Sequence, residues 1–265
     1  MKKIFNNFMK YRFLLVELVK KGIKLKYRRS YLGIIWSLLE PLLMMVVLTF
    51  VFGNLLGRSG ADEFHPYPIY ILCGRLCFSF FSNCTKTCLK TIRSNAAMIK
   101  KVYVPKYLYP LSVTLYNYII FLISLIVLFV VSVVLGVMPK LTWLLSVVPL
   151  LQLLLLAFGV GMILATIGVF FRDMEYLWTV ATTLIMYMSA IFYYPANMFG
   201  DPTDWKARII ELNPVYCVIQ NFRNCIFGDA MDINMLIYGF GFSIICIVIG
   251  TWAFIKKQNK FILEI

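Results

Sequence analysis

The sequence predicts an all-α integral membrane fold with six transmembrane helices, an N-terminal amphipathic interface helix, a cytoplasmic helix and short external helices before the last span. Three observations lead there. Of 265 residues 61% are hydrophobic and only 14% charged, with a mean hydropathy of +0.82, against roughly 45–50% apolar in a soluble domain. The apolar residues gather into charge-poor runs of the length a bilayer demands. The basic residues then fall predominantly on one side of those runs.

Crossing about 30 Å of hydrocarbon takes about 20 mainly apolar residues, and a helix satisfies its own backbone on the way. The runs are Gly33 to Leu56, Tyr67 to Thr85, Leu111 to Val137, Trp143 to Phe171, Leu177 to Tyr194 and Ile233 to Ile255. The first begins beyond residue 30, is too long for a signal-peptide core and lacks a small-residue cleavage site, so it is expected to stay in the chain. Twenty of the 26 Lys and Arg residues flank one side of the spans, five the other, and Arg75 lies inside the second. The positive-inside rule makes the rich side, and both termini, cytoplasmic. The same segregation explains the formal charge of +14 as topology and argues against a nucleic-acid partner, because no separate basic module exists.

Residues 1–32 form a cytoplasmic interface segment. On a helix, Phe8, Tyr11, Leu15, Leu18, Val19, Gly22 and Leu25 share one side while Lys10, Glu17, Lys20, Lys21 and Lys24 share the other, the pattern of a helix lying at the membrane surface. It reads equally as an anchor and as a collar that passes motion to the first span. Between the second and third spans, Ser94 or Asn95 can cap a short helix that ends before Pro105, giving a cytoplasmic helix of about residues 94–104. Met98, Ile99 and Val102 beside Lys100 and Lys101 make an apolar patch with a basic rim, suited to a groove on another protein or to a plain connector.

Cys73, Cys77, Cys84 and Cys88 fall within about 60° of one helix face, a small-residue packing stripe in preference to a metal site, since no His joins them. Cys217 and Cys225, about 12 Å apart on one helix, cannot bridge. Residues 195–232 are too long for a turn and carry helical stretches at about Trp205 to Leu212 and Val215 to Phe227, broken at Asn213-Pro214.

Four local patterns, in order along nearly the whole chain, resemble the transmembrane subunit of ABC-2 type exporters of O-antigen, capsule and teichoic-acid polymers. They are Tyr27-Arg28-Arg29-Ser30 through Gly33, Trp36 and Pro41; Ile99-Lys100-Lys101-Val102-Tyr103-Val104-Pro105-Lys106; Phe171-Arg172-Asp173; and Asn213-Pro214 followed by Arg223. The resemblance implies a homodimer in the bacterial inner membrane, bound to two ATPase subunits, with residues 94–104 as coupling helix, the short helices of residues 195–232 as re-entrant helices of an external gate, and a lipid-linked glycan as substrate. It assigns Ser94, Met98, Ile99, Lys100, Lys101, Val102 and Tyr103 to coupling, and Arg172, Asp173, Asn213, Pro214 and Arg223 to structural or gating roles at residues 195–232 and nearby. No Gly is followed by Lys, so the phosphate-cradling P-loop is absent. ATP and Mg are therefore expected on the partner, and no cofactor on this chain.

By the same resemblance, Arg28, Arg29, Tyr31 and Trp36 stand where a lipid-linked sugar would arrive. Guanidinium forks suit a diphosphate, and aromatic faces suit sugar C–H surfaces. Positive-inside anchoring and an interfacial aromatic belt are the plain alternatives. Arg75, roughly 12 Å into its span, departs from the family pattern and reads as lining a water-filled pore, because Glu40 lies near the cytoplasmic end of the first span and a direct pair needs a tilt or a second subunit. A lipid-linked transferase would need a clustered acid, base or metal set; Asp173 and Glu175 beside Arg172 read instead as a structural ion pair. An ion channel or secondary transporter lacks its carboxylates and inverted repeat. A lipid or drug exporter of the same superfamily is the nearest rival.

Overall fold

A computed structural model describes residues 2–28, 30–55, 66–101, 104–195 and 205–264, with side chains at 11 and beyond except at 54, 206 and 207. Among the described residues every regular element is a helix. The order is α1 (Lys2–Tyr27), a 3-10 turn (Gly33–Ile35), α2 (Trp36–Leu48) running into a π-helical stretch (Thr49–Leu55), α3 (Tyr67–Ser94), α4 (Ala96–Lys101), α5 (Leu108–Val134), α6 (Thr142–Leu145), α7 (Val147–Phe170), α8 (Met174–Met188), α9 (Trp205–Glu211), α10 (Pro214–Phe227), α11 (Ile233–Lys257) and α12 (Phe261–Glu264).

Among the described residues four segments are long and apolar enough to cross a membrane: Gly33–Gly53, Leu108–Val134, Thr142–Phe170 and Ile233–Lys257. They coincide with the first, third, fourth and sixth predicted spans to within a few residues. The second and fifth differ for identifiable reasons. α3 is 28 residues long, about 42 Å at the helical rise, but it is the inner helix of the bundle, packed on α2, α5, α7, α8 and α10 and buried over most of its length. Shielded from lipid by its neighbours, it carries Arg75 and Asn83 and so escapes a purely apolar pattern. α8 has only 15 residues, about 22 Å. It stops at Met188 because Ala190 takes a left-handed conformation (φ 46°), and Ser189–Tyr193 continue as an irregular turn where the sequence pattern predicts helix to Tyr194.

Small residues set the helix contacts. A Cβ on Gly159 would lie 2.8 Å from the Ile247 nitrogen, and one on Gly250 2.9 Å from the Gly159 oxygen, so α7 and α11 touch backbone to backbone as small-residue interfaces do in membranes. The cysteine stripe works in the same way. Cys88 Sγ would stand 2.9 Å from a Cβ on Gly161, and the Cys84 and Cys88 thiols lie 3.5 and 3.9 Å from Thr114 Oγ1.

α1 docks along α5 through Leu15, Leu18 and Val19, all buried. Gly22 lets it come close, for a Cβ there would sit 2.4 Å from the Tyr116 ring. Leu25, grouped with that apolar face, is instead 54% exposed; it is the last apolar position of the stripe and borders a cavity. The C-terminal tail is less free than its composition suggests: Phe261 is fully buried, its ring edge-on to Phe254 at 5.1 Å and Phe170 at 5.9 Å.

Candidate functional site

Two adjoining cavities form a polar cleft between α1, α2, α3 and α5. The larger, about 500 Å³, lies where each of three helices presents one stripe. α1 gives Leu18, Lys21, Gly22, Leu25 and Lys26; α3 gives Asn83, Thr87, Thr91, Ser94 and Asn95; α5 gives Tyr109, Ser112, Val113, Tyr116 and Asn117. Spacings of three and four put each set on a single helical face. The smaller, about 60 Å³, shares Lys26, Asn83 and Asn117 with it and reaches Ser37, Glu40, Arg75, Ser79 and Ser124.

The lining hydroxyls are prepared as acceptors. Thr87 Oγ1 donates to the Asn83 carbonyl at 2.7 Å and Ser37 Oγ to Ile34 O at 2.7 Å, which occupies each proton and leaves oxygen lone pairs for a ligand's hydroxyls. Ser124 Oγ donates to the Ser37 carbonyl at 2.9 Å and ties α2 to α5. Phe80 and Phe121, stacked at 5.2 Å, supply apolar wall. Burial, and secondarily the Glu40 carboxylate, push the Tyr27 phenol above its usual pKa.

Of the predicted portal residues that are described, only Arg75 reaches the cleft. It shares the smaller cavity with Glu40, so α2 does bring the carboxylate to the same space within one chain, although no ion pair joins the two. Arg28 is exposed, Tyr31 fully so, and Trp36 is 41% exposed, all outside the cavity linings. Arg29, Val102 and Tyr103 lie outside the described residues. Sequence reading missed Asn83, Tyr109, Tyr116 and Asn117. The usable signal was polar side chains inside apolar runs, Asn83 with Thr87 on α3 and Asn117 with Ser124 on α5, a mark of buried or water-lined positions.

At the same end, Ser94 and Asn95 do not cap α4 with their side chains. Ser94 Oγ and Asn95 Nδ2 both donate to the Thr91 carbonyl, at 3.1 and 2.8 Å, which also accepts the Asn95 backbone N–H at 3.3 Å, so three donors close the last turn of α3 where the chain bends. α4 starts from the Asn95 carbonyl, which accepts from Met98 and Ile99 N–H. Ile99 is buried against the bundle, Met98 half-buried, and Lys100 and Lys101 exposed.

Glu175 pairs not beside Arg172 but across helices. Lys90 Nζ lies 2.6 Å from one carboxylate oxygen and Arg93 reaches the other. The Lys90 hydrogen bond first, and the two positive charges with it, hold its carboxyl below the usual glutamate range. Arg172 and Asp173 stay exposed, and the Asp173 carbonyl opens α8 by accepting from Tyr176 and Leu177. Beyond them α8 exposes Tyr176, Thr179, Thr183 and Tyr187, which share one face. Among the described residues no cluster of three or more His, Cys, Asp or Glu could hold a metal.

The opposite end is organised by Arg223 and Asn213. Asn213 caps α10, its oxygen accepting from Val215 N–H at 3.0 Å while its amide donates to Ser189 Oγ at 3.0 Å; Pro214 fills the first helical position, where no N–H is missed. Arg223, 1% exposed, donates to the Tyr70, Ala190 and Ile191 carbonyls at 3.2, 3.1 and 3.5 Å and lies 3.4 Å over the Tyr70 ring. Tyr70 Oη shares its one proton between Tyr193 O at 2.9 Å and Ala190 O at 3.1 Å. These bonds fix the left-handed Ala190 that ends α8, a conformation an L-residue keeps only when its surroundings over-determine it.

The comparisons with known proteins agree with this architecture. The chain is 28% identical over 250 residues to the O-antigen export system permease protein RfbA of Klebsiella pneumoniae, covering 94% of this chain and 93% of that one. It is 26% identical over 254 residues to the protein of the same name from Myxococcus xanthus, covering 95% of each. Against the polysialic acid transport protein KpsM of Escherichia coli the identity is 22% over 244 residues, 90% of this chain and 91% of the other. A family model described as ABC-2 type transporter matches residues 14–227, and the chain belongs to that family.

Proposed function

We propose that this chain is the permease subunit of an ATP-driven exporter that carries a lipid-linked polysaccharide across the bacterial inner membrane. The observation that carries the reading is the polar cleft: hydroxyls and amides on three helices, with aromatic walls, inside a chain otherwise built of apolar helices. Sugars present just that mixture of hydroxyls and apolar C–H faces. The names of the full-length relatives support the same substrate class.

In this reading all six predicted spans cross, the basic end is cytoplasmic, and α4 docks on a separate ATPase that supplies ATP and Mg. The Glu175 pairs with Lys90 and Arg93 would pass motion from α3 to α8. A second copy would complete the channel; the candidate span Gly33–Gly53 is only 6% buried, and the exposed Tyr176–Tyr187 face of α8 offers hydroxyls and rings to a lumen. Glycan passes along lone pairs and rings that bind each unit weakly, so no residue here acts on a covalent bond.

The test is reconstitution of this chain with its ATPase in proteoliposomes. ATP hydrolysis appears only in the presence of this subunit and rises with added lipid-linked glycan, and Arg75→Leu lowers glycan transport while assembly stays normal. Hydrolysis indifferent to glycan, or unchanged flux in the variant, would refute the reading.

A further inference from the structure

The larger cavity has features that glycan passage does not require. Its mouth is amphipathic: Leu25, 54% exposed, lies one turn from Lys21 and next to Lys26 on α1, and all three line the cavity. No carboxylate is among its lining residues; Lys26 feels Glu40 across the adjoining smaller cavity, which leaves Lys21 as the ammonium with no anion on that wall. Opposite them, Tyr109 is 1% exposed and its hydroxyl has no hydrogen-bond partner among the described residues. A buried phenol left without a partner costs free energy unless a ligand accepts from it. The volume, about 500 Å³, is within the range of small-molecule sites.

We propose that this cavity seats the headgroup of an acidic phospholipid, its phosphate between Lys21 and Lys26 and accepting a hydrogen bond from Tyr109, its acyl chains leaving past Leu25. The phosphate diester supplies the missing negative charge and the missing acceptor together. A lipid fits better than a soluble anion because the mouth joins apolar and basic surface on one helix, the arrangement that meets the boundary between headgroups and acyl chains. Seated there, the lipid would bridge α1 to α3 and α5. The proposal requires only that α1 lie along the membrane surface and does not depend on what the permease exports.

Native mass spectrometry of the full-length chain in mild detergent, with equal phosphatidylglycerol and phosphatidylcholine added, tests this. One phosphatidylglycerol per chain is retained in preference to phosphatidylcholine. The pair Lys21→Gln and Lys26→Gln weakens that retention roughly 10- to 30-fold, at about three- to fivefold per surface lysine. Tyr109→Phe, which keeps the ring and its packing, weakens it about tenfold with melting unchanged. Lys256→Gln with Lys257→Gln, two exposed lysines at the end of α11, leaves it unaltered. Equal retention of the two lipids, or Tyr109→Phe and the lysine pair matching wild type, overturns the proposal. So does displacement by inorganic phosphate, which would mean a soluble-anion site, or by equimolar undecaprenyl diphosphate, which would make the cavity the carrier's own seat.

Discussion

Arg223→Met removes a cation that is only 1% exposed while keeping a flexible side chain of similar reach. The guanidinium makes two well-formed bonds, to Tyr70 O and Ala190 O, a third at the 3.5 Å limit, and a ring contact at 3.4 Å. Charged hydrogen bonds are worth about 1.5–3 kcal/mol each and a desolvated cation–π contact about 2. Against them stands the cost of holding a cation out of water with no carboxylate in contact, several kcal/mol. Ala190 O also keeps its bond from Tyr70. The net loss comes to about 2–4 kcal/mol. Fluorescence-detected size-exclusion after a thermal ramp of the detergent-purified chain should show a drop of roughly 5–15 °C, on the scale of a domain of this size. Arg223→Lys should recover little, since an ammonium keeps the charge and its hydration demand but cannot fork between two carbonyls. Melting of the Met variant within about 1 °C of wild type, or full recovery by Lys, would refute the assignment of Arg223 as the tie that ends α8.

Gly22→Leu should detach α1 from α5, because even a Cβ would strike the Tyr116 ring; overpacking of this kind costs about 1–3 kcal/mol, and limited proteolysis should then cut within residues 11–27. Glu175→Gln should change stability by no more than about 1 kcal/mol, as partly exposed ion pairs do, yet lower transport per ATP hydrolysed; parallel loss of both rates would deny it a coupling role. Because the Glu175 carboxyl is depressed in the folded chain, its contribution is complete at neutral pH and is lost as pH falls through that lowered value, below the usual glutamate range. Gln152 is fully buried with both amide atoms unpartnered among the described residues, its nitrogen 1.7 Å from where a Gly239 Cβ would stand. Gln152→Leu should therefore raise stability by about 1–2 kcal/mol, read as a higher melting temperature, whereas Gly239→Ala should lower it.

Hydrophobic runs located four candidate spans to within a few residues, since lipid imposes one rule on every exposed position. The rule fails for α3, where neighbouring helices replace lipid and tolerate Arg75, Asn83 and Thr87. It fails again at Ala190, whose backbone is dictated by Arg223, 33 residues away, and by Tyr70 on α3. The break at Asn213-Pro214 was legible because cap chemistry is local, and α9 and α10 begin and end within two residues of expectation. Capping at Ser94 and Asn95 misled for the converse reason: the same side chains can serve the helix behind them, and both donate to the Thr91 carbonyl in the last turn of α3. The cleft itself was half visible. Arg75 and Glu40 stood out as charges, but their common cavity depends on how α2 leans on α3 and α5, which no single run of residues records.

All seven cysteines are reduced and buried, the most accessible, Cys246, showing only 8% of its surface. Thiols so enclosed are out of reach of a water-soluble maleimide, which needs contact with an ionised sulfur. The unaltered chain is consequently its own silent background for labelling. One cysteine introduced at Lys100 and another, separately, at Asp229, both exposed and at opposite ends of the bundle, would report membrane sidedness in intact cells without first stripping the protein of the small sulfur side chains that hold α3 against α5 and α7.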